Sequence, residues 1–364
     1  MRAGLVAGSP ADERLLNTTE ILSQVLLQDV EDAGDGGGRA KKIRQGTSAE
    51  RIVSVHDPEM RHGRKSKAVR FDGHKMSLVT DVDSQLITAV DVLPGSAKDQ
   101  TGSLELVQQS EATTGLQAEA VLGDMAYGSG ENRERFAEAG IELQAKTPQR
   151  PDIGFFSKDR FDIDTDRMTC QCPAGQVTNH LMRKGFHTRQ GGQPVQDLAF
   201  VFPAVGCAAC PLRTSCYRPT RKGREVLLHP QEAMIQAAKA WQQSPAFDDF
   251  RKQRQVVEHR IARMAQLGVR QARYFGCHKT LFQVLMAATV ANLTLVLAKG
   301  GPSATNRPLR SLQGALGDLF RAALALAAPI QSRYERSAEA PTSGAIRSRP
   351  QPLTLRVATS RPGL

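Results

Sequence analysis

The stretch Glu119–Ser129, EAVLGDMAYGS, limits what this chain can fold into more than any other stretch. Ala120–Leu122 is a short apolar run that predicts a buried strand, and Gly123 and Asp124 follow where that strand should end. A carboxylate at the carboxyl end of a buried strand lies where open α/β sheets place their chemistry. An Asp in this position is also a common turn former or helix cap, so its meaning depends on the rest of the chain.

The elements around this stretch predict an α/β domain over residues 51–146, with a mixed β-sheet flanked by helices. Strands are expected at Arg51–His56, Lys75–Thr80, Leu86–Val92, Ala120–Leu122 and Ile141–Ala145, and helices at Gln100–Glu111 and Gly130–Ala139. Asp81–Gln85 predicts a hairpin turn between the second and third strands, and Asp99 is a candidate cap for the first helix. The basic stretch 61–70 is expected to be a loop.

Composition divides the rest of the chain into four segments. Their predicted contents are one helix (Leu15–Val30) and a flexible Gly-rich linker in 1–50, a Cys-rich insertion with short strands at most in 147–229, the long helices Pro230–Gln266 and Thr280–Lys299 in 230–299, and a basic, mostly disordered tail in 300–364. A lone helix followed by a linker predicts that an N-terminal domain has been cut short.

The charge of the chain predicts a polyanionic partner, most simply double-stranded DNA. The net charge is +11, and the basic residues are clustered. Residues 218–273 hold twelve Lys and Arg against five Asp and Glu, residues 61–70 hold five against none, and the segment after Gly300 holds nine Arg against three acids. A single Trp and four Tyr argue against a stacking platform for single strands.

Neither export nor membrane insertion is expected. The N-terminal residues have no long apolar core before their charges, so they do not read as a signal peptide. The longest apolar run, Leu281–Ala298, is interrupted by polar residues and falls short of the roughly 20 residues that a span needs. It predicts a buried helix, and the chain is expected to be cytoplasmic and associated with the nucleoid.

Three carboxylates have positions that indicate metal-dependent chemistry. Asp57 ends the first predicted strand, Asp124 ends the fourth, and Glu258 lies in a basic helix on one face with Arg254 and Arg251. Hard divalent ions take oxygen ligands, and two such ions can activate a nucleophile and stabilise the leaving oxygen in phosphoryl transfer. The competing interpretation of Glu258 is an ordinary ion-pair partner on a helix surface.

Five of the six cysteines lie between Cys170 and Cys216, which favours a metal site over disulfides in a chain without an export signal. The pattern TCQCPAG followed by CAACPLRTSC predicts a structural Zn²⁺ site with the ligands Cys172, Cys207, Cys210 and Cys216. Cys170 is the spare or substitute ligand, and His180 and His187 are further substitutes. Reduced cysteines without a metal remain the alternative, and Cys277 reads as a core residue.

Several stretches match one family's patterns in the same order. They are SVHDPEMRHGRKSK around Asp57, FDGHKMSLVTDVDSQLITAVDVLPGSAKDQ, VLGDMAYGSGENR around Asp124 and RQVVEHRIARM around Glu258. Over about Arg51–Lys299 the chain resembles a DDE-type insertion-sequence transposase, whose catalytic domain has an RNase H-like fold. Some transposases of this group carry a similar Cys-containing insertion between the second Asp and the Glu.

The resemblance implies a catalytic triad of Asp57, Asp124 and Glu258 that binds Mg²⁺ or Mn²⁺, cleaves DNA at transposon ends and transfers the strand. The implied DNA-backbone contacts are Arg61, Arg64, Lys65, Lys67, Arg251 and Arg254, in a homodimer assembled on DNA. The family's Y-x2-R-x3-E-x6-K signature is departed from at Arg251 and Ala265. The alternatives are therefore an inactive DNA-binding remnant of a transposase and a nuclease of the same fold.

Overall fold

A computed structural model describes residues 10–32, 41–45, 50–65, 68–188, 194–300 and 355–359. The chain divides into two compact units, unit 1 (Met1–Glu119 and Gln253–Leu364) and unit 2 (Ala120–Lys252). In chain order the described elements are α1 (Pro10–Leu27), β1 (Val30–Asp32), β2 (Lys41–Ile43), β3 (Arg61–Arg64), β4 (Arg70–Asp81), β5 (Ile87–Pro94), α2 (Ser103–Thr114), β6 (Ala120–Gly123), α3 (Gly130–Glu138), β7 (Glu142–Ala145), β8 (Asp162–Asp164), β9 (Thr169–Gln171), β10 (Val177–Thr178), β11 (Leu181–Thr188), β12 (Pro194–Val201), α4 (Ala204–Ala208), α5 (Arg213–Cys216), β13 (Glu225–Leu228), α6 (Glu232–Trp241), α7 (Ala246–Met264), α8 (Cys277–Gly300) and β14 (Leu355–Thr359).

Unit 1 is organised around the long strand β4. Its first residues pair with β3, and its remainder pairs with β5 on one edge and with β14 on the other, all antiparallel. The predicted hairpin is confirmed, and Asp81 stabilises its turn by accepting hydrogen bonds from the amide and hydroxyl of Ser84. Leu78 and Val90 of the hairpin pack with Val257 of α7 and Val284 of α8 in one core cluster.

The prediction of one mixed sheet is wrong, because the structure contains several small sheets. Side chains form hydrogen bonds with backbone groups of β5 that would otherwise be open to pairing with another strand. Asn292 bonds both the N–H and the C=O of Ile87, and the Asp91 carboxylate accepts the amide of Val92. Strands β6 and β7 instead form a separate parallel pair.

Two local predictions before β4 are also wrong. The predicted strand Arg51–His56 is reduced to a single bridge at Ile52, because the Ser54 hydroxyl accepts the amides of His56 and Asp57 and bends the chain. The predicted loop 61–70 instead begins with strand β3, since Gly63 lets the β3 backbone lie against the Phe71 ring.

Helix boundaries also differ from the predicted ones. Helix α2 starts three residues late, after Gly102 with φ of 69°, and Asp99 forms an ion pair with Lys75 instead of capping it. The predicted helix Pro230–Gln266 is split into α6 and α7 near Pro245, because proline cannot continue a helix hydrogen-bond ladder.

Helix α8 is only partly buried, and large apolar side chains also lie on its exposed side. Val284, Ala288 and Ala291 lie in the core, whereas Phe282 and Met286 are exposed. Among the described helices, Cys277–Lys299 is long and apolar enough to cross a membrane, by length and composition only. Within its apolar stretch of 18 residues, 22% is buried. Such a helix is weak evidence for a span, since core helices of soluble proteins pass the same test.

Unit 2 begins with the parallel pair β6–β7, crossed by α3. The three predicted elements are confirmed to within one residue at each end. Arg133 of α3 is 8% exposed and donates to the carbonyls of Gly128, Leu143 and Ala145 and to the Thr147 hydroxyl. It therefore fastens the turn after β6 to the end of β7.

The cysteine-rich segment of unit 2 has more structure than its composition predicts. Strands β8, β9 and β10 form one small antiparallel sheet, and β11, β12 and β13 form another. Strands β11 and β12 have eight residues each, so "short strands at most" is wrong for them. A hydrophobic core in this segment contains Phe161, Phe200 and Phe202. The side chains of Cys170, Cys207 and Cys216 belong to the same core.

Candidate functional site

Asp57 is buried and fully engaged. It is 1% exposed, and its Oδ1 accepts the amides of Glu59 and Met60, both at 3.2 Å. Its Oδ2 accepts the Gly276 amide at 3.0 Å and lies 3.2 Å from His74 Nε2. Burial raises the pKa of the Asp57 carboxyl, but these hydrogen bonds outweigh burial and hold the pKa below its ordinary value.

The same contacts attach the segment 57–60 to the start of α8. Glu59 accepts the Cys277 amide, one residue beyond the Gly276 amide that Asp57 holds. Two carboxylates at a helix N-terminus are favourable, because the amides there have no partner within the helix. Asp57 in this arrangement is an anchor for α8, which sequence reasoning did not predict.

Asp57, His74 and Cys277 form a hydrogen-bonded chain, with Cys277 Sγ 3.3 Å from His74 Nδ1. Burial, followed by the nearby Glu59 and Asp57 carboxylates, raises the pKa of the Cys277 thiol to about 12. A thiol with such a pKa stays protonated at neutral pH and is a poor nucleophile. Sequence reasoning did not predict this cluster, and it had assigned Cys277 to the core.

Asp124 lies where it was predicted, directly after β6. Its side chain accepts the Ala126 amide at 2.8 Å and caps a single 3-10 turn, Met125–Tyr127. The carboxylate is partly exposed, whereas Tyr127 beside it is buried. The competing interpretation of this Asp as a cap thus describes one of its contacts, and the carboxylate remains accessible to solvent.

Glu258 lies on the exposed surface of α7. Its side chain is 57% exposed and accepts from Arg254 Nη2 at 3.0 Å, four residues earlier. Arg251 pairs weakly with Asp248 at 3.6 Å and is also exposed. The i,i+4 ion pair considered as the alternative for Glu258 is therefore present, in a position open to solvent.

The three carboxylates lie in different local surroundings. Within the described ranges, no group of three or more His, Cys, Asp and Glu side chains is positioned to hold a metal ion. Asp57 and Glu258 belong to unit 1, and Asp124 belongs to unit 2. Each carboxylate therefore has its own local surroundings, buried for Asp57 and open to solvent for the other two.

The basic residues of the 61–70 stretch differ in their exposure to solvent. Arg61 is largely buried and donates to the carbonyls of Pro58 and Met60, so it supports the loop that carries Asp57. Arg64 and Lys65 are exposed. Lys67 lies outside the described residues.

Four cysteines of unit 2 line one small cavity of about 20 Å³. They are Cys172, Cys207, Cys210 and Cys216, the four predicted as zinc ligands, and all are free thiols. We call this set the cysteine cavity. Tight turns present them, since Gly175 bonds back to Cys172 and Arg213 bonds back to Cys210.

The predicted substitute ligands Cys170 and His180 do not line the cysteine cavity. Cys170 lies on β9, is fully buried in the adjoining core and does not line the cavity. Burial raises the pKa of the Cys216 thiol, Arg224 opposes that rise, and the other three thiols reinforce it. His180 lines a different hollow, and the side chain of His187 lies outside the described residues.

Comparison with known proteins gives one match. Residues 171–297 match the family model described as a transposase DDE domain. This part of the chain is similar to the DDE domain of transposases. The matched range includes Glu258 and the cysteine cavity, and it begins after Asp57 and Asp124.

The resemblance predicted from the sequence is therefore confirmed, and the DDE domain implies an RNase H-like fold and a divalent metal. Transposases act on DNA. No curated protein and no solved structure gives a significant match to the chain.

Proposed function

We propose that the chain binds transposon DNA, hydrolyses a phosphodiester at the transposon end and transfers the freed strand to target DNA. A water oxygen would bond to phosphorus as the bond to the 3′ oxygen breaks, leaving a 3′-hydroxyl and a 5′-phosphate. That hydroxyl would then attack a target phosphodiester and displace another 3′ oxygen. The family match over residues 171–297 carries this proposal.

Asp57, Asp124 and Glu258 are the proposed ligands of Mg²⁺ or Mn²⁺. A bound pair of such ions supplies Lewis-acid stabilisation of the attacking and leaving oxygens. The donor chemistry fits, because all three are carboxylates, and Asp124 and Glu258 are open to solvent. Asp57 could bind a metal ion only if the ion replaced the hydrogen bonds of its Oδ2 to His74 and to the Gly276 amide.

The cationic side chains are proposed to hold DNA backbone. Arg64 and Lys65 are exposed, and Arg254 and Arg251 carry only exposed ion pairs that phosphate can replace. Arg61 and Lys67 complete the proposed set, with Arg61 also supporting the Asp57 loop. The chain is proposed to act as a homodimer on nucleoid DNA.

The cysteine cavity is proposed as a structural Zn²⁺ site within a Cys-rich insertion between Asp124 and Glu258. Four thiols around one small cavity are a donor set that suits tetrahedral zinc, and a four-cysteine site leaves no position open for catalysis. Binding would require the side chains to converge further, because the described residues contain no ready metal-holding group. Metal analysis of the reduced, purified chain that finds no zinc would remove this proposal.

A strand-transfer assay tests the function. Labelled transposon ends and plasmid target are incubated with the full chain and Mg²⁺ or Mn²⁺, beside Asp124→Ala and the matched control Glu119→Ala, an acid just before β6. The expected result is product from the parent and control and none from Asp124→Ala. Product that survives Asp124→Ala removes Asp124 from the site, and no product from the parent identifies an inactive remnant.

A further inference from the structure

The cysteine-rich segment carries its charge on one side of its sequence. Residues 180–224 contain eight Lys and Arg and a single acid, Asp197, whereas residues 147–179 contain four Lys and Arg and five Asp. Acids of the first half are used locally, as in the pairs of Asp152 with Arg160 and of Asp164 with Arg167. The second half therefore has a large excess of positive charge.

A proline turn displays the centre of this charge. The sequence Arg218-Pro219-Thr220-Arg221 closes a turn in which the Arg221 amide bonds to the Arg218 carbonyl at 3.0 Å. Proline at the second position presets such a turn, and its end residues lie within about 7 Å of each other at Cα. Arg218, Arg221 and Lys222 are all exposed, and none of them forms an ion pair in the described structure.

Two of these cations border an open hollow of about 470 Å³, with His180 on its lining. The one acid in that lining, Glu225, is already paired with Lys184 at 2.6 Å. The hollow is therefore a concave surface with two cations that are unpaired among the described residues, Arg221 and Lys222, and the His180 imidazole on its lining. Tyr217, beside the turn, is buried and offers no ring for stacking a base.

We propose that Arg218, Arg221 and Lys222, with His180, form a second DNA-binding surface that contacts the phosphate backbone of duplex DNA. It rests on the proposed function for the choice of DNA as the polyanion, and its residues are not among the proposed metal ligands or their neighbouring arginines. Phosphates on one strand lie about 3.4 Å apart along the duplex axis, so a turn with ends within about 7 Å can span two of them. Point-charge contacts of this kind position the protein without reading sequence.

Salt dependence of binding tests this surface. Binding of the full chain to a labelled duplex is measured between about 50 and 200 mM salt without added divalent metal, so no cleavage is needed. Every phosphate that a variant no longer neutralises makes the plot of log K against log salt shallower by about 0.9. Arg221→Gln with Lys222→Gln is expected to make it shallower by about 1.8, and an unchanged slope would overturn the proposal.

Two control proteins exclude indirect effects. Arg150→Gln with Arg167→Gln removes the same charge from the same segment, but each of these arginines has an acid neighbour, Asp159 or Asp164. It should keep the parent slope. Arg221→Lys with Lys222→Arg keeps the charge and should also keep the slope. If that swap makes the slope shallower as well, the contacts are not electrostatic and the proposal fails.

The outcome is distinguishable from failure of the catalytic proposal. If the chain forms strand-transfer product but the salt slope is unchanged in the Arg221→Gln, Lys222→Gln variant, only the proposal of this surface is refuted. A chain that binds DNA through this surface but forms no strand-transfer product loses only the catalytic proposal.

Discussion

Replacing Asp57 by alanine should destabilise unit 1 far more than removal of an ordinary surface carboxylate. The side chain is 1% exposed and accepts three backbone amides and one imidazole nitrogen. Hydrogen bonds to a charged acceptor contribute about 1.5–3 kcal/mol each and are not additive, and each buried donor left without an acceptor costs about 1–3 kcal/mol. We expect Asp57→Ala to cost about 3–5 kcal/mol.

The matched control is Asp124→Ala, which removes a partly exposed carboxylate with one backbone partner. Loss of such a cap costs about 0.5–2 kcal/mol. The two variants therefore separate a buried anchor from a surface cap of the same chemistry.

Hydrogen exchange, followed by mass spectrometry of peptides from β4 and the start of α8, measures the effect within unit 1. Amides there that exchange through unfolding of the unit should exchange about 140- to 4000-fold faster in Asp57→Ala, since every 1.4 kcal/mol is tenfold. Exchange within tenfold of the parent, or no faster than in Asp124→Ala, would refute the anchor.

Acid should weaken the same anchor. Because the folded pKa of Asp57 lies below its ordinary value, its contribution is complete above the unfolded pKa of about 3.9 and is lost as pH falls through the folded pKa. The protection of unit 1 amides in the parent, relative to their intrinsic exchange rates at each pH, should therefore fall below about pH 4, and Asp57→Asn should lack this contribution. An identical acid response in parent and Asp57→Asn would contradict the assignment.

Three further outcomes follow from contacts within single units. Asn292→Ala should lower the stability of unit 1 by about 2–4 kcal/mol in a denaturant titration, because it leaves the N–H and C=O of Ile87 without hydrogen-bond partners. The control Thr294→Ala loses only a hydrogen bond within its own helix and should cost less than about 1 kcal/mol in the same titration. Arg133→Met should cost unit 2 about 2–4 kcal/mol, because buried carbonyls lose their donor, and a loss below about 1 kcal/mol by Trp241 fluorescence would contradict this. Zinc chelation should speed hydrogen exchange around the cysteine cavity and leave unit 1 peptides unchanged, and equal acceleration in both units would count against a local site.

Local sequence patterns predicted the elements near Asp124 well. Apolar runs bounded by Gly and Asp located β6, α3 and β7, because these elements are set by residues close in sequence. The cysteine spacing likewise grouped the four thiols that line one cavity, since turns at Gly175 and Cys210 present them from nearby residues.

Contacts between distant residues could not be read from the sequence. The anchor joins Asp57 to Gly276 across 219 positions, and no periodicity links them. Asn292 looked like an interruption of an apolar helix until its bonds to Ile87, 205 positions away, explained it. The Ser54 hydroxyl, which bends the predicted first strand, acts through a local side-chain bond that β-propensity does not include.

Electron paramagnetic resonance of bound Mn²⁺ tests the central claim most directly. The full chain is mixed with Mn²⁺ and an uncleavable transposon-end duplex, beside Asp124→Ala and Glu258→Gln. Carboxylate-bound ions that act as a pair about 4 Å apart should give the spectrum of two coupled Mn²⁺ ions in the parent and lose it in both variants. An uncoupled or absent signal in the parent, or the same coupled signal in Asp124→Ala, would contradict the proposed triad.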